Sequence, residues 1–301
     1  TVRKRITGLK PLGTLFIITI NLMRDGNQNG SRPAQMYSVM KRILMRTINL
    51  RKTDHNVKIG DNSIESEPTL FEDSLFLSEG EPIGFYLARL PDKLENLVNI
   101  SNLELNSNRV PKSEMKRSSG LFGNSDKDVL QYSCIIGSIP PKPHMRRSYA
   151  SKSSVHAVQS ARTFVKSMIM AGEEALKIVE AVTPAVYRIH RDSVEKQVPE
   201  KWRFAKLFTS SISNCNIACG VHQDNLNVRG AINVIITKRR NSKGGNLFVP
   251  DYGTTFNSAD NSMLVYPAWR NMHGVTPIVT THPGGYRNSL IWYALNAFEN
   301  H

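Results

Sequence analysis

Apolar residues change their spacing twice along this chain. The N-terminal part holds extended runs. Leu12–Leu22 is apolar but interrupted by Thr14, Thr19 and Asn21, shorter than the ~20 residues a membrane span needs, and it reads as a buried strand. Met36–Leu50 sets Met40, Ile43, Leu44 and Ile48 near one helical face, so an amphipathic helix is expected there. Ile83–Leu90, after Gly80, reads as a strand, and so does Tyr132–Ile139, ended by Pro140 and Pro141.

The spacing then becomes helical. From Ser154 to Val182, the residues Val155, Val158, Ala161, Val165, Met168, Ile169, Ala175, Leu176 and Val179 recur at helical intervals, with Ser154 as the expected N-cap. Thr183-Pro184 opens a second helix to about Lys196, with proline at its first position. From Trp202 the pattern turns to short β segments: Leu207–Ile212, Ala231–Ile236, Leu247–Val249, Met263–Tyr266, Val275–Thr280 and Ser289–Leu295. Turn signals separate them at Lys243-Gly244-Gly245, Asp251-Tyr252-Gly253 and Pro283-Gly284-Gly285. Many short strands after helices predict an α+β fold, a sandwich or barrel with helices on one side.

Composition divides the chain. The first sixty residues are basic (Arg3, Lys4, Arg5, Lys10, Arg42, Arg46, Arg51, Lys52, Lys58), and Asp61–Glu104 swings acidic through Glu65, Glu67, Glu72, Asp73, Glu79 and Glu81. Residues 105–128 are rich in Ser, Asn, Lys and Gly and read as a linker. Residues 1–128 are therefore expected to form an N-terminal region of unspecified fold packed on the core. Residues 129–301 are expected to form the catalytic unit, including its helices at about 154–197. Hydrophobic residues make up 40% of the 301, enough to bury a core. The three cysteines, Cys134, Cys215 and Cys219, are too few for a disulfide framework, and the last two are expected to pack as small hydrophobes. A reducing, intracellular compartment follows as the expectation: nucleus for a eukaryotic protein, host cytoplasm for a phage one. The net charge of +14 points to a polyanionic partner, the plain alternative being an ordinary basic surface.

The chemistry-bearing residues lie in the last third. His222-Gln223-Asp224 is an H-x-D; in an extended chain, residues two apart share a face, so both side chains can reach one ion. His273 follows about fifty residues later at the start of another β segment. Two imidazoles and a carboxylate on one face of an octahedron leave open positions, the arrangement of ferrous oxygenases. Either histidine alone would be read as a hydrogen-bonded core residue. Arg287 changes that reading, because it heads an apolar strand (Leu290, Ile291, Trp292, Tyr293) where a guanidinium is costly unless paired with an anion. Its fork matches a carboxylate, and the Ser289 hydroxyl two residues on faces the same side.

H-x-D, a distal His and R-x-S form the pattern of the 2-oxoglutarate and Fe(II) dioxygenases. More closely, GVHQDNLN (220–227), GGNLFVPDYG (244–253), HGVTPI (273–278) and YRNSLIWY (286–293) resemble the TET/JBP branch, which oxidises the 5-methyl group of pyrimidines in nucleic acid. The similarity covers roughly the last hundred residues, is of phage or fungal type, and lacks the cysteine-rich zinc segment of animal TET proteins. It implies a double-stranded β-helix, a jelly-roll-like barrel, with His222, Asp224 and His273 as iron ligands. Arg287 and Ser289 bind 2-oxoglutarate in that reading, Asn227 matches a frequent Asn, and Fe(II), 2-oxoglutarate and dioxygen are the implied cofactor set. The implied reaction converts 5-methylcytosine to 5-hydroxymethylcytosine, with thymine hydroxylation as the alternative.

A paired base must be extruded to reach a buried metal, which asks for a basic groove and flat side chains. Lys238, Arg239, Arg240 and Lys243 in a turn between strands, with Arg146, Arg147 and Trp202, are the expected contacts. A solvated hairpin tip and ordinary core aromatics are the competing reading. DNA is the expected partner of a monomer without membrane contact. Two other functions compete: a prolyl-type protein hydroxylase with the same iron chemistry, and a metal-free nucleic-acid-binding module.

Overall fold

The computed structural model describes residues 15–22, 39–64, 66–117, 131–142 and 147–298, with side chains from residue 45 onward except at 116 and 117. Arg3, Lys4, Arg5, Lys10, Glu65, residues 118–128 of the expected linker and Arg146 lie outside the described residues, as does the start of the expected helix at Met36. The strands of the first half are β1 (Leu15–Leu22), β2 (Val39–Asn49), β3 (Ser74–Ser78), β4 (Glu81–Leu87), β5 (Lys116–Arg117), β6 (Tyr132–Ile139) and β7 (Ser151–Lys152). Those of the second half are β8 (Ser210–Cys215), β9 (Cys219–His222), β10 (Asn233–Arg240), β11 (Ser242–Gly244), β12 (Leu247–Val249), β13 (Thr254–Phe256), β14 (Ser262–Tyr266), β15 (His273–Val275), β16 (Ile278–Thr280) and β17 (Tyr286–Tyr293). Three helices accompany them: α1 (Asp92–Asn106), α2 (Arg162–Val182) and α3 (Pro184–Gln197).

An eleven-stranded sheet runs in the order β1-β2-β3-β4-β14-β10-β17-β8-β6-β5, with β7 on β6. It is antiparallel except between β2 and β3. A four-stranded sheet, β13-β12-β15-β9, is the second layer, and β11 pairs with β16.

The central strands are buried on both faces, which explains their unbroken apolar runs. Along β14, Met263 and Val265 join Phe85, Val234, Leu290, Trp292 and the apolar stripe of α2. The intervening Leu264 and Tyr266 join Leu247, Val249 and Phe256 of the small sheet. Strand β17 alternates likewise: Leu290 and Trp292 pack on the helices, while Arg287, Ser289, Ile291 and Tyr293 line a cavity. The fit on the helix side is close. Trp292 Nε1 donates to the Met168 carbonyl at 3.0 Å, and a Cβ on Gly172 would lie 2.7 Å from that nitrogen. Helix α2 can cross the sheet there only with glycine at 172. Truncating a side chain like Trp292 costs ~3–5 kcal/mol.

The structure corrects the expected Met36–Leu50 helix: residues 39–49 form β2. It pairs with β1 over residues 39–46 and with β3 over residues 46–49, and that tertiary pairing overrides the helical spacing. The acidic segment conceals α1, which follows Pro91, carries Asp92 and Glu95 in its first turn and buries Leu94, Val98 and Leu105. The long helix starts at Arg162, after two 3-10 turns at residues 154–161. Its expected cap moves as well: Ser153, not Ser154, accepts from the Val155 amide, and the Ser154 hydroxyl donates to Glu114. Strand β4 pairs with β14, so residues 74–87 continue the sheet that carries the cavity. Among the described residues, no helix is long and apolar enough to cross a membrane.

Candidate metal centre

Strands β9 and β15 are antiparallel neighbours in the small sheet, and their register sets His222 opposite His273. The ring centroids are 4.4 Å apart. Each ring is oriented from behind by a backbone carbonyl: His222 Nδ1 donates to Gly220 O at 2.9 Å, and His273 Nδ1 to Asn271 O at 3.1 Å. In the neutral form of each ring, which metal binding requires, that contact places the proton on Nδ1 and leaves Nε2 free to ligate. His222 closes β9, and Asp224 stands just past the strand end, where its Oδ1 lies 3.5 Å from His222 Nε2 and 4.0 Å from His273 Nε2. One ligand atom from each of the three residues falls within 4.8 Å of the others.

Asp224 is held from the far side. Its Oδ2 accepts from Asn233 Nδ2 at 3.1 Å and Asn227 Nδ2 at 3.4 Å, and Asn227 also donates to Asn233 Oδ1 at 2.8 Å. The two amides occupy Oδ2 and turn Oδ1 toward the imidazoles. Asn227, matched only by family pattern in the sequence, thus has a role, and Asn233 is not legible in the sequence because a lone Asn carries no spacing signal. Cys219 is a further correction. Its Sγ lies 3.2 Å from His222 Nδ1 and lines the cavity, so it is part of the site and not filler. Burial favours a neutral His222, but Cys219, the Gly220 carbonyl and Asp224 outweigh it and push the ring up to about 9. His273 is held below its ordinary value by burial first and by the neighbouring His222 second.

Arg287 comes from the opposite, eleven-stranded sheet and is 2% exposed. Its Nη2 donates to Ser258 Oγ at 3.2 Å, while its Nε is buried without a partner. Among the described residues no carboxylate forms an ion pair with it. Burial, aided by the like charge of Arg239, pushes it down to about 9. Gly245 makes room for it, since a Cβ there would sit 3.0 Å from Nε. Ser289, two residues along β17, lines the same cavity.

That cavity, of about 500 Å³, lies between the two sheets. It takes His222, Asp224, His273 and Val275 from one side and Asn214, Ile235, Arg287 and Ser289 from the other. The donor set, two imidazoles and one carboxylate oxygen, suits a divalent transition metal such as Fe(II). The unpaired buried guanidinium suits a carboxylate ligand in the same space. Both groups fit the residues present.

The expected nucleic-acid contacts fare differently. Lys238 is 7% exposed and is paired with Asp260 at 3.1 Å and Asn261 at 2.7 Å. Arg239 donates to the Ser258 carbonyl at 3.0 Å and the Ser242 carbonyl at 2.6 Å. Lys238 is buried and Arg239 half-buried, and both spend side-chain donors on internal partners; β10 runs on to residue 240, past the expected turn. Arg240 and Lys243 remain exposed. Arg147 donates to Pro140 O at 2.7 Å and braces its own loop. Trp202 stacks on Phe298 at 5.8 Å, with the ammonium groups of Lys152 and Lys201 over its ring, so it is packed and is not an open stacking platform.

No family model matches the chain, and no curated protein matches it in sequence. Among solved structures, NgTET1 in complex with 5mC DNA aligns with a TM-score of 0.53 at 12% identity, covering 80% of this chain and 85% of that one. A 2OG-Fe(II) oxygenase family oxidoreductase from Burkholderia pseudomallei aligns at a TM-score of 0.37 and 12% identity, over 72% of this chain and 85% of that one. OsALKBH1 aligns at 0.38 and 12% identity, over 71% and 97%. The first of these similarities is one of fold: over four-fifths of its length, this chain is built like NgTET1.

Proposed function

We propose that this protein is a 2-oxoglutarate- and Fe(II)-dependent dioxygenase of the TET/JBP kind that oxidises the 5-methyl group of 5-methylcytosine in DNA to the alcohol. The observation that carries this reading is a buried guanidinium, unpaired by any described carboxylate, in the same cavity as a converging His-Asp-His cluster. The facing sheets, one bearing the metal ligands and the other the arginine, support a double-stranded β-helix core.

His222, Asp224 and His273 would hold the iron, and Arg287 and Ser289 the far carboxylate of 2-oxoglutarate. Iron with bound 2-oxoglutarate and dioxygen supplies a two-electron oxidation, in which the co-substrate becomes succinate and carbon dioxide and a methyl C–H becomes C–OH. The chain's own work is placement. Asn227 and Asn233 fix one oxygen of Asp224 and aim the other at the metal position. The backbone carbonyls of Gly220 and Asn271 hold the two rings with Nε2 forward. Ile212, Ile235, Leu264 and Ile291 wall the cavity with hydrocarbon and keep water from the reacting groups. Its volume, about 500 Å³, lies within the ~300–1,000 Å³ of small-ligand sites.

DNA as partner is supported by the +14 net charge and by the fold shared with a protein bound to 5mC DNA. The base would be extruded into the cavity. A monomer in a reducing, intracellular compartment completes the reading, and the three free cysteines are in keeping with it. The test is incubation with Fe(II), 2-oxoglutarate and duplex DNA carrying 5-methylcytosine or thymine, followed by nucleoside mass spectrometry and succinate assay. 5-Hydroxymethylcytosine together with succinate is expected. Hydroxymethyluracil instead moves the substrate to thymine, and succinate without any oxidised base removes DNA from the reading.

A further inference from the structure

The chain before β3 reaches the back of both histidine-bearing strands. At one end, the Thr53 amide donates to Asp251 O at 2.9 Å and the Thr53 hydroxyl to Pro250 O at 3.2 Å, docking residues 53–55 on the 3-10 turn Pro250–Tyr252. His55 Nε2 then donates to Asp251 Oδ1 at 3.0 Å. The other oxygen of Asp251 accepts from Asn271 Nδ2 at 2.7 Å and from the Met272 amide at 3.4 Å. Asn271 is 1% exposed, and its carbonyl is the acceptor that orients His273. At the other end, Gly60 and Asp61 exchange backbone hydrogen bonds with Val221 at 2.8 Å each, extending the small sheet beyond β9. Ser63 donates to Cys219 O at 2.8 Å. A Cβ on Gly274, the neighbour of His273, would lie 2.0 Å from the Ser63 hydroxyl, so only glycine admits it.

We propose that residues 53–63 form a clasp for the metal centre, and that Asp251, gripped by His55, is a positioning residue that holds His273 in ligating geometry through Asn271. This rests on the iron reading above but not on the choice of substrate. Outer partners of a ligating histidine fix its ring orientation, and their loss weakens metal binding by about 10–100-fold. Asp251 holds the whole 271–272 turn by one carboxylate. His55 supplies that carboxylate's second anchor from a segment more than 190 residues away in sequence.

The test uses Co(II) as the probe metal on the full chain, read by its ligand-field absorption. Asp251→Ala should weaken Co(II) binding about 10–100-fold and alter the band shape. Asp251→Asn keeps an acceptor for the Asn271 amide and should recover part of the affinity. His55→Ala should lose about 3-fold, because it removes only the partly exposed anchor. Wild-type affinity and spectrum in a folded Asp251→Ala protein overturns the proposal. If that variant fails to fold, His55→Ala decides alone, and unchanged Co(II) binding there overturns it equally. Absence of Co(II) binding by the wild type overturns this proposal and the iron reading together. Binding without base oxidation removes only the DNA substrate and leaves the clasp standing.

Discussion

Arg287 and Arg239 face each other across neighbouring strands, paired in register between β17 and β10, yet they solve the problem of a buried cation in opposite ways. Arg239 spends its donors on the carbonyls of Ser242 and Ser258, and its neighbour Lys238 ends on Asp260 and Asn261. Arg287 has one hydroxyl and an empty-handed Nε. A buried charge satisfied from within belongs to the scaffold; one left short belongs to a ligand. His190 shows a third solution, since burial simply removes its charge.

The largest effect tests the ligand side of this contrast. Replacing Arg287 with Met should raise the KM for 2-oxoglutarate by at least about 100-fold, the scale of losing one partner of a desolvated charge pair. The same change should raise the melting temperature of the protein without co-substrate, because it removes an uncompensated buried charge. A lower melting temperature together with an unchanged KM would reassign Arg287 to the scaffold. Lys238→Met should do the reverse. It should destabilise the fold by ~1–2 kcal/mol in denaturant titration, a figure reduced for the partly exposed Asp260, and leave the 2-oxoglutarate KM alone.

His190 sharpens the comparison through pH. It is fully buried, accepts from the Ile232 amide at 3.3 Å and packs on Phe208, and burial pushes it from 6.5 down to about 3. The unfolded chain binds the proton between those values and the folded chain does not, so stability is complete above pH 6.5 and falls as pH drops toward 3. The expected loss between pH 7 and pH 5.5 is ~1 kcal/mol by chemical denaturation. His190→Gln should flatten that interval; an equal slope in the variant would assign the dependence to other groups.

What was legible in the sequence follows from how far apart the interacting residues lie. Strand β6, strand β12 and helix α3 were expected nearly as found, because hydrophobic period and proline placement are local signals. The quartet His222, Asp224, His273 and Arg287 was legible because residue type and strand context restrict what such side chains can do. Strand β2 is not legible because its pairing with β1 and β3 is tertiary. The surroundings of the metal centre were hidden for the same reason: His55 meets Asp251, and Ser63 meets Cys219, across more than 150 residues that no window spans. The internal partners of Lys238 and Arg239 are not legible, because a basic run looks the same in sequence whatever its side chains pair with across the fold.

The smallest effect concerns the two cations of that run that stay outside. Arg240 donates to Gly284 O at 3.2 Å and lies over Tyr286 at 5.4 Å, while Lys243 is exposed on β11, so both keep charge available to a polyanion. Removing one cation that neutralises a phosphate lowers the slope of log K against log salt by about 1 on duplex DNA. Arg240→Ala with Lys243→Ala should therefore flatten the slope by ~2, whereas Lys238→Met, whose ammonium is already paired, should leave it unchanged. Equal slopes for the double variant and the wild type would place the DNA track elsewhere on the surface. A flattened slope for Lys238→Met would break the rule that internally satisfied cations do not bind, since a paired ammonium would then have to leave Asp260 for a phosphate.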